Sequence, residues 1–167
     1  MRLTVAITSN CFNMSRYVTV VYANITVIQS NLTAGIANGP NQTIPFNSTV
    51  TLDSFNATFD PDISDPTNKT GFSWTWLCKR VSETWPVSPS PVPYRRFNTT
   101  TSSKSGCFGD GPGILPFNGP LVVLDTTYFQ EDVDYVFQLR VTKDRRNASA
   151  EMVLSVTYTA APVLEIT

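Results

Sequence analysis

A two-sheet antiparallel β-sandwich is the fold class this sequence predicts, on three observations. Large apolar side chains alternate with polar ones in several short stretches, no stretch sustains a helical period, and Thr, Ser and Asn supply most of the polar residues. Strands with one apolar face need a second sheet to cover it, which gives the sandwich. Period-two patterning by itself also admits a barrel. A chain of 167 residues with 41% apolar side chains suits one large domain, or one domain and part of a neighbour, with a real core.

Residues 3–7 and 17–21 alternate, with Asn10-Cys11-Phe12-Asn13 as a turn between them. Segment 1–23 reads as the last hairpin of a preceding domain, or as edge strands added to the main one. The sandwich itself is assigned to 24–160. Residues 31–42 break up around two glycines and a proline. Val50 and Leu52 share one face while Phe55, Ala57 and Phe59 have the other parity, so a β-bulge at Asp53-Ser54 is expected to turn both sets inward and leave Asn56 outside. Residues 62–71 form a polar turn region.

Phe72-Ser73-Trp74-Thr75-Trp76-Leu77-Cys78 is the central strand, since its aromatics and cysteine fall on every second residue. Phe72, Trp74 and Trp76 are therefore expected in the core with Cys78. Residues 79–120 are expected to form a long insertion. Seven prolines and five glycines between 86 and 120 deny it a central strand's ladder of hydrogen bonds. An insertion of that length needs a function or a tether. Residues 121–124 resume strand character. Tyr135, Phe137, Leu139 and Val141 then alternate with Val136, Gln138, Arg140 and Thr142, and after the turn at 143–147 Ala150, Met152, Leu154, Val156 and Tyr158 share a face. This is the strongest hairpin signal in the chain, and Tyr135, Phe137 and Leu139 complete the expected core. Pro162 opens a linker at 161–167.

Composition places the chain and excludes several functions. The sequon Asn-x-Ser/Thr occurs at Asn13, Asn24, Asn31, Asn41, Asn47, Asn56, Asn68, Asn98 and Asn147, nine of the twelve asparagines, where chance placement gives about three. Glycan acceptors belong on the surface of secreted or lumenal chains, so N-linked glycans and an extracellular location are expected. The first seven residues turn polar too soon for a signal peptide, and no run of about 18 apolar residues occurs. The chain is read as part of a longer ectodomain that does not itself insert in the membrane. A net charge of −1 offers no concentrated positive field for nucleic acid or anionic lipid, and Arg95-Arg96 and Arg145-Arg146 are isolated pairs. With no histidine, the usual base for a serine or cysteine nucleophile is missing. No enzyme and no cofactor is expected.

Three cysteines allow one internal disulfide. A Cys78–Cys107 bond would close the Pro- and Gly-rich insertion, leaving Cys11 over; Cys11 paired with either of the others is the alternative. Asp60, Asp62 and Asp65 beside Asp53, and Asp132 and Asp134 with Glu131, are candidate calcium ligands, a reading that gains weight if the two groups meet at one end of the sandwich. No calcium-loop spacing is met, and aspartates beside proline and serine also cap turns. Trp85, Tyr94 and Phe108 lie in the insertion and are the candidate ligand contacts, or else pack the loop onto the sandwich.

Leu52-Asp53-Ser54, Asp60-Pro61-Asp62, the strand ending in Cys78, Cys107, the 135–141 strand and Arg146-Asn147-Ala148-Ser149-Ala150 follow one another in an order and spacing that resembles the receptor-for-egg-jelly (REJ) region of polycystin-1-like proteins. The likeness covers about residues 32–158. It implies PKD-type immunoglobulin-like units, a core tryptophan at Trp76 and a Cys78–Cys107 pair. It further implies a large glycosylated membrane-receptor ectodomain, ciliary or on sperm, with structural, adhesive or ligand-sensing roles. Trp74 and the length of the insertion depart from the tidier family pattern. A structural or adhesion module is the first reading; a sensor using the insertion to bind a protein or carbohydrate is the second, and a calcium-dependent adhesion domain the third. The expected partners are the neighbouring domains.

Overall fold

A computed structural model describes residues 2–8, 18–24, 26–97 and 105–158. The chain divides into two units, Met1–Ser30 and Asn31–Thr167. In the first, β1 (Arg2–Thr8) pairs antiparallel with β2 (Val18–Asn24), Val5 opposite Val21. Cys11, Asn13, Asn98 and the 161–167 linker lie outside the described residues, as do the side chains of β1 and β2.

The second unit is all-β, with no α-helix among the described residues. Its larger sheet has the order β3-β9-β8-β5-β6, formed by Asn41–Pro45, Arg146–Thr157, Val133–Lys143, Ser73–Arg80 and Gly113–Ile114. A ribbon of β4 (Thr49–Asp53) and β7 (Leu121–Asp125) faces it. Val50, Leu52, Val122 and Leu124 of the ribbon share one buried cluster with Trp76, Tyr135, Phe137, Leu139, Met152 and Leu154 of the sheet. Alternation dictates this arrangement, since every second residue of each strand enters the same apolar layer.

The β8–β9 hairpin has the expected register, with Tyr135 opposite Leu154 and Phe137 opposite Met152. Its two-residue turn, Asp144-Arg145, has φ of 50° and 69°. Positive φ at both positions is what a tight hairpin with right-handed twist requires.

Four features differ from the sequence expectation. First, β3 runs parallel to β9 rather than antiparallel. The chain turns from β3 into the opposite sheet at 46–48, so β3 needs no hairpin partner. As an edge strand it tolerates Pro45. Second, there is no bulge at Asp53-Ser54. The Asp53 carboxylate accepts the Phe55 amide at 2.8 Å and turns the chain, ending β4. Ser54, Thr58 and Asp60 are buried, while Phe55, Ala57 and Phe59 are only half-buried.

Third, Phe72 and Trp74 are half-buried, stacked on each other at 5.6 Å, whereas Trp76 is fully enclosed. The ribbon strands have five residues and β8 eleven. At about 3.3 Å per residue the ribbon spans roughly 17 Å of a strand of some 36 Å, leaving an overhang. Fourth, Leu77, on the face opposite Trp76, is also fully buried. Trp85 lies on that face, its indole donating to Glu151 at 3.1 Å and lying under the Lys79 ammonium at 5.4 Å. Lys79 has the parity of Leu77, and Leu77 pairs with Gln138 and Gln138 with Glu151, so both contacts of Trp85 are on the Leu77 side of the sheet.

The two tryptophans of β5 lead to opposite expectations. Trp76 Nε1 donates to the Gly119 carbonyl at 2.8 Å, whereas Trp74 Nε1 is buried with no hydrogen-bond partner. Trp76→Phe is expected to cost about 2–3 kcal/mol, from a lost hydrogen bond and an unfilled space. Trp74→Phe keeps the stack on Phe72 and sheds an unsatisfied donor, so stability should hold or rise by up to about 1 kcal/mol. Urea unfolding of both variants checks the order; a larger loss at Trp74 would contradict it.

Candidate functional site

The 79–120 insertion is fastened at several points. Cys78 on β5 is bonded to Cys107, both nearly fully buried, with Cα atoms 6.0 Å apart. Glu83 accepts the Arg80 amide at 2.9 Å and the Gly106 amide at 2.7 Å, and Arg80 Nε returns a bond to the Gly106 carbonyl at 3.0 Å. Gly106 has φ of 66°, and a Cβ there would meet the Gly111 carbonyl oxygen at 1.9 Å, so only glycine fits. Strand β6 adds to β5, Ile114 opposite Leu77. Two glycines and scattered prolines hide so short a strand from any periodic reading.

An aromatic chain then joins insertion to core. Tyr94 packs against Phe108, Phe117 and Tyr128 at 4.8–5.3 Å between ring centres. Phe108 packs on Phe129 at 5.0 Å, and Phe129 on Tyr135 at 4.9 Å. The Tyr94 hydroxyl accepts the Asp125 amide at 2.7 Å and the Tyr135 hydroxyl accepts the Gln130 amide at 2.9 Å. Burial raises the pKa of both phenols. Of the candidate ligand contacts, Phe108 is 1% exposed and offers no ligand a surface. Tyr94 is half-buried inside the aromatic cluster and Trp85 is half-buried on the outer sheet face. Both rings are occupied in holding the insertion down.

The calcium candidates do not come together. Asp60 and Asp62 meet Arg146 and Lys143 at the far end of β8, whereas Asp132 and Asp134 lie at its start, nine residues away from Lys143 in the case of Asp134. That is about 30 Å along a strand. Asp60 is buried and receives Arg146 in a two-pronged pair at 2.7 and 2.9 Å, with Lys143 at 3.1 Å. The Arg146 hydrogen bonds hold its carboxyl well below the usual range, against the opposing effect of burial. Asp62 lies 3.0 Å from Arg146. Among the described residues, no group of three or more His, Cys, Asp or Glu side chains could hold a metal ion.

A surface groove of 360 Å³ lies among the described residues where the insertion meets the sandwich. Its apolar lining is Phe46, Phe97 and Phe129, and its polar lining Arg96, Thr127, Gln130 and Glu131. The Arg80 guanidinium donates to the Gln130 side-chain oxygen Oε1 and lies 5.3 Å over the Phe97 ring, holding both in place. Thr127 is fixed by the Asp125 carboxylate, which accepts its amide at 2.9 Å and its hydroxyl at 2.7 Å; these bonds lower the Asp125 pKa. Aromatic surface, a guanidinium, an amide, a hydroxyl and a single carboxylate suit a polyhydroxylated ligand, with C–H faces on rings and hydroxyls on polar groups. Sequence reasoning did not single out this lining. Its signal was a phenylalanine directly before a sequon, at Phe46-Asn47 and Phe97-Asn98.

Asn31, Asn41, Asn47, Asn56, Asn68 and Asn147 are all exposed. Asn24 ends β2. No helix among the described residues is long and apolar enough to cross a membrane. A family model described as REJ domain matches residues 1–167. No curated protein matches the chain.

Proposed function

The chain belongs to the REJ domain family, and from that premise we propose that it is a non-catalytic, N-glycosylated module in the extracellular part of a polycystin-1-like membrane protein, on a ciliary or sperm surface. Its role is to support the shape of that ectodomain and its adhesion, with neighbouring domains as its partners. The observation that carries this reading is the inward direction of the insertion: Phe108 is buried, and Tyr94 binds the ribbon through Asp125. A binding loop keeps its aromatics outward, whereas here they tie the loop down. Six exposed sequon asparagines on the described surface support the glycosylated, extracellular part of the reading. The facing sheets and buried Trp76 are consistent with a PKD-type immunoglobulin-like sandwich.

Secretion of the chain from animal cells, followed by non-reducing peptide mapping before and after enzymatic glycan removal, tests the proposal. Occupied sequons and a linked Cys78–Cys107 peptide are expected. Bare sequons with free thiols at both positions would overturn it.

A further inference from the structure

We propose that the N-glycan on Asn47 folds back along Phe46 into the groove lined by Arg96, Phe97, Gln130 and Glu131, so that the module carries its own carbohydrate ligand. This rests on the glycosylation reading above and adds where one glycan goes.

Five of the ten phenylalanines are followed directly by asparagine, at 12, 46, 55, 97 and 117, and all but the last begin a sequon. Chance placement of twelve asparagines gives fewer than one such pair. A phenyl ring beside the acceptor offers the C–H face of the first sugar an apolar surface, shielding part of both from water.

At Asn47 the geometry adds direction. Asn47 is exposed with φ of 63°, a left-handed turn conformation that asparagine tolerates. Both its neighbours are clamped. The Phe46 amide donates to the Thr157 carbonyl at 2.6 Å, and the Ser48 amide donates to the buried Thr126 hydroxyl at 2.7 Å. The glycan therefore leaves from a fixed point rather than a loose loop.

Asn47 lines a depression with Ser48, Thr49, Asp125 and Thr127, and Thr127 also lines the groove. The two hollows adjoin at Thr127, and in the proposed arrangement the sugars that start at Asn47 pass over it into the groove. At 360 Å³ the groove lies at the lower end of small-ligand sites. Arg96, Gln130 and Glu131 give hydroxyl and acetamido groups their partners there, and the tethered sugar loses little freedom on docking.

The test uses the secreted, glycosylated chain. Thr49→Ala removes the sequon without touching Asn47, Thr49→Ser keeps it, and each is made with Phe46 or with Phe46→Leu, which retains apolar bulk without a ring face. With Phe46 present, Thr49→Ala is expected to lower the melting temperature by about 2–4 °C and raise amide exchange at 127–131 several-fold. Thr49→Ser should leave both unchanged, and in the Phe46→Leu background Thr49→Ala should have little further effect. Equal losses in both backgrounds, or none in either, with Asn47 occupied, would overturn the docking and leave glycosylation standing. A bare Asn47 in the parent's glycopeptide map would overturn both at this site.

Discussion

Removing the Cys78–Cys107 bond as a Cys78→Ala, Cys107→Ala pair is expected to destabilise the second unit by about 3–4 kcal/mol, on the loop-entropy account. The bond spans 29 residues, so it withdraws much freedom from the unfolded chain. For a domain of this size that is a fall in melting temperature of roughly 7–15 °C. The effect should be local before it is global. The 106–111 turn depends on Gly106 beside Cys107, and Glu83 ties the same segment to β5. Amide exchange in 105–115 should therefore accelerate at temperatures where β8 and β9 remain protected. Differential scanning calorimetry with exchange mass spectrometry reads both. A pair of variants melting within a degree or two of the parent would show that the aromatic chain from Tyr94 to Phe129 suffices to hold the insertion.

The second large effect is at Asp60. Asp60→Asn leaves Arg146 and Lys143, both mostly buried, without their shared counter-charge. Breaking a buried pair from one side costs about 3–5 kcal/mol. Arg146→Ala should cost less, because Lys143 remains 3.1 Å from the carboxylate. The pH dependence has a definite sign. The folded carboxyl titrates well below its unfolded value, so its stabilisation is complete above an unfolded pKa of about 3.9 and is lost as pH falls toward the folded value. Urea unfolding between pH 6 and about pH 2.5 should show the parent losing stability more steeply than Asp60→Asn. Parallel profiles would remove Asp60 from the acid response.

Much of the fold was legible because strand alternation is a local signal. The β8–β9 hairpin, the central strand β5 and the inward pair Val50 and Leu52 follow from which residues are large, apolar and two apart. In Leu121-Val122-Val123-Leu124, by contrast, all four are apolar and only the ribbon's packing selects Val122 and Leu124. Strands β3 and β6 were not legible. Asn41–Pro45 is polar and ends in proline, and Gly113–Ile114 has two residues, so each is a strand only because a neighbour supplies its hydrogen bonds. The acidic residues were visible, yet the partners of Asp60 lie more than 80 positions along the chain. No spacing rule connects them. Asp53 was misread for a different reason: its carboxylate bonds to the backbone two residues on, a choice that competes with continuing the strand.

What the sequence by itself determined is the all-β class, the alternation of its main strands and the positions of nine Asn-x-Ser/Thr sequons, since each depends on residues within a few positions of one another. Only the tertiary structure decided what covers those faces. It put Trp85 against Lys79 and Glu151 on the Leu77 side of the sheet, buried Phe108 against Phe129, left Trp74 at an overhang and brought Arg96 and Phe97 to one groove with Phe46. Alternation specifies that a side chain leaves the water, but burial needs a second surface. Here that surface comes from the β4–β7 ribbon and from a proline-rich insertion held by a disulfide and a chain of aromatic contacts.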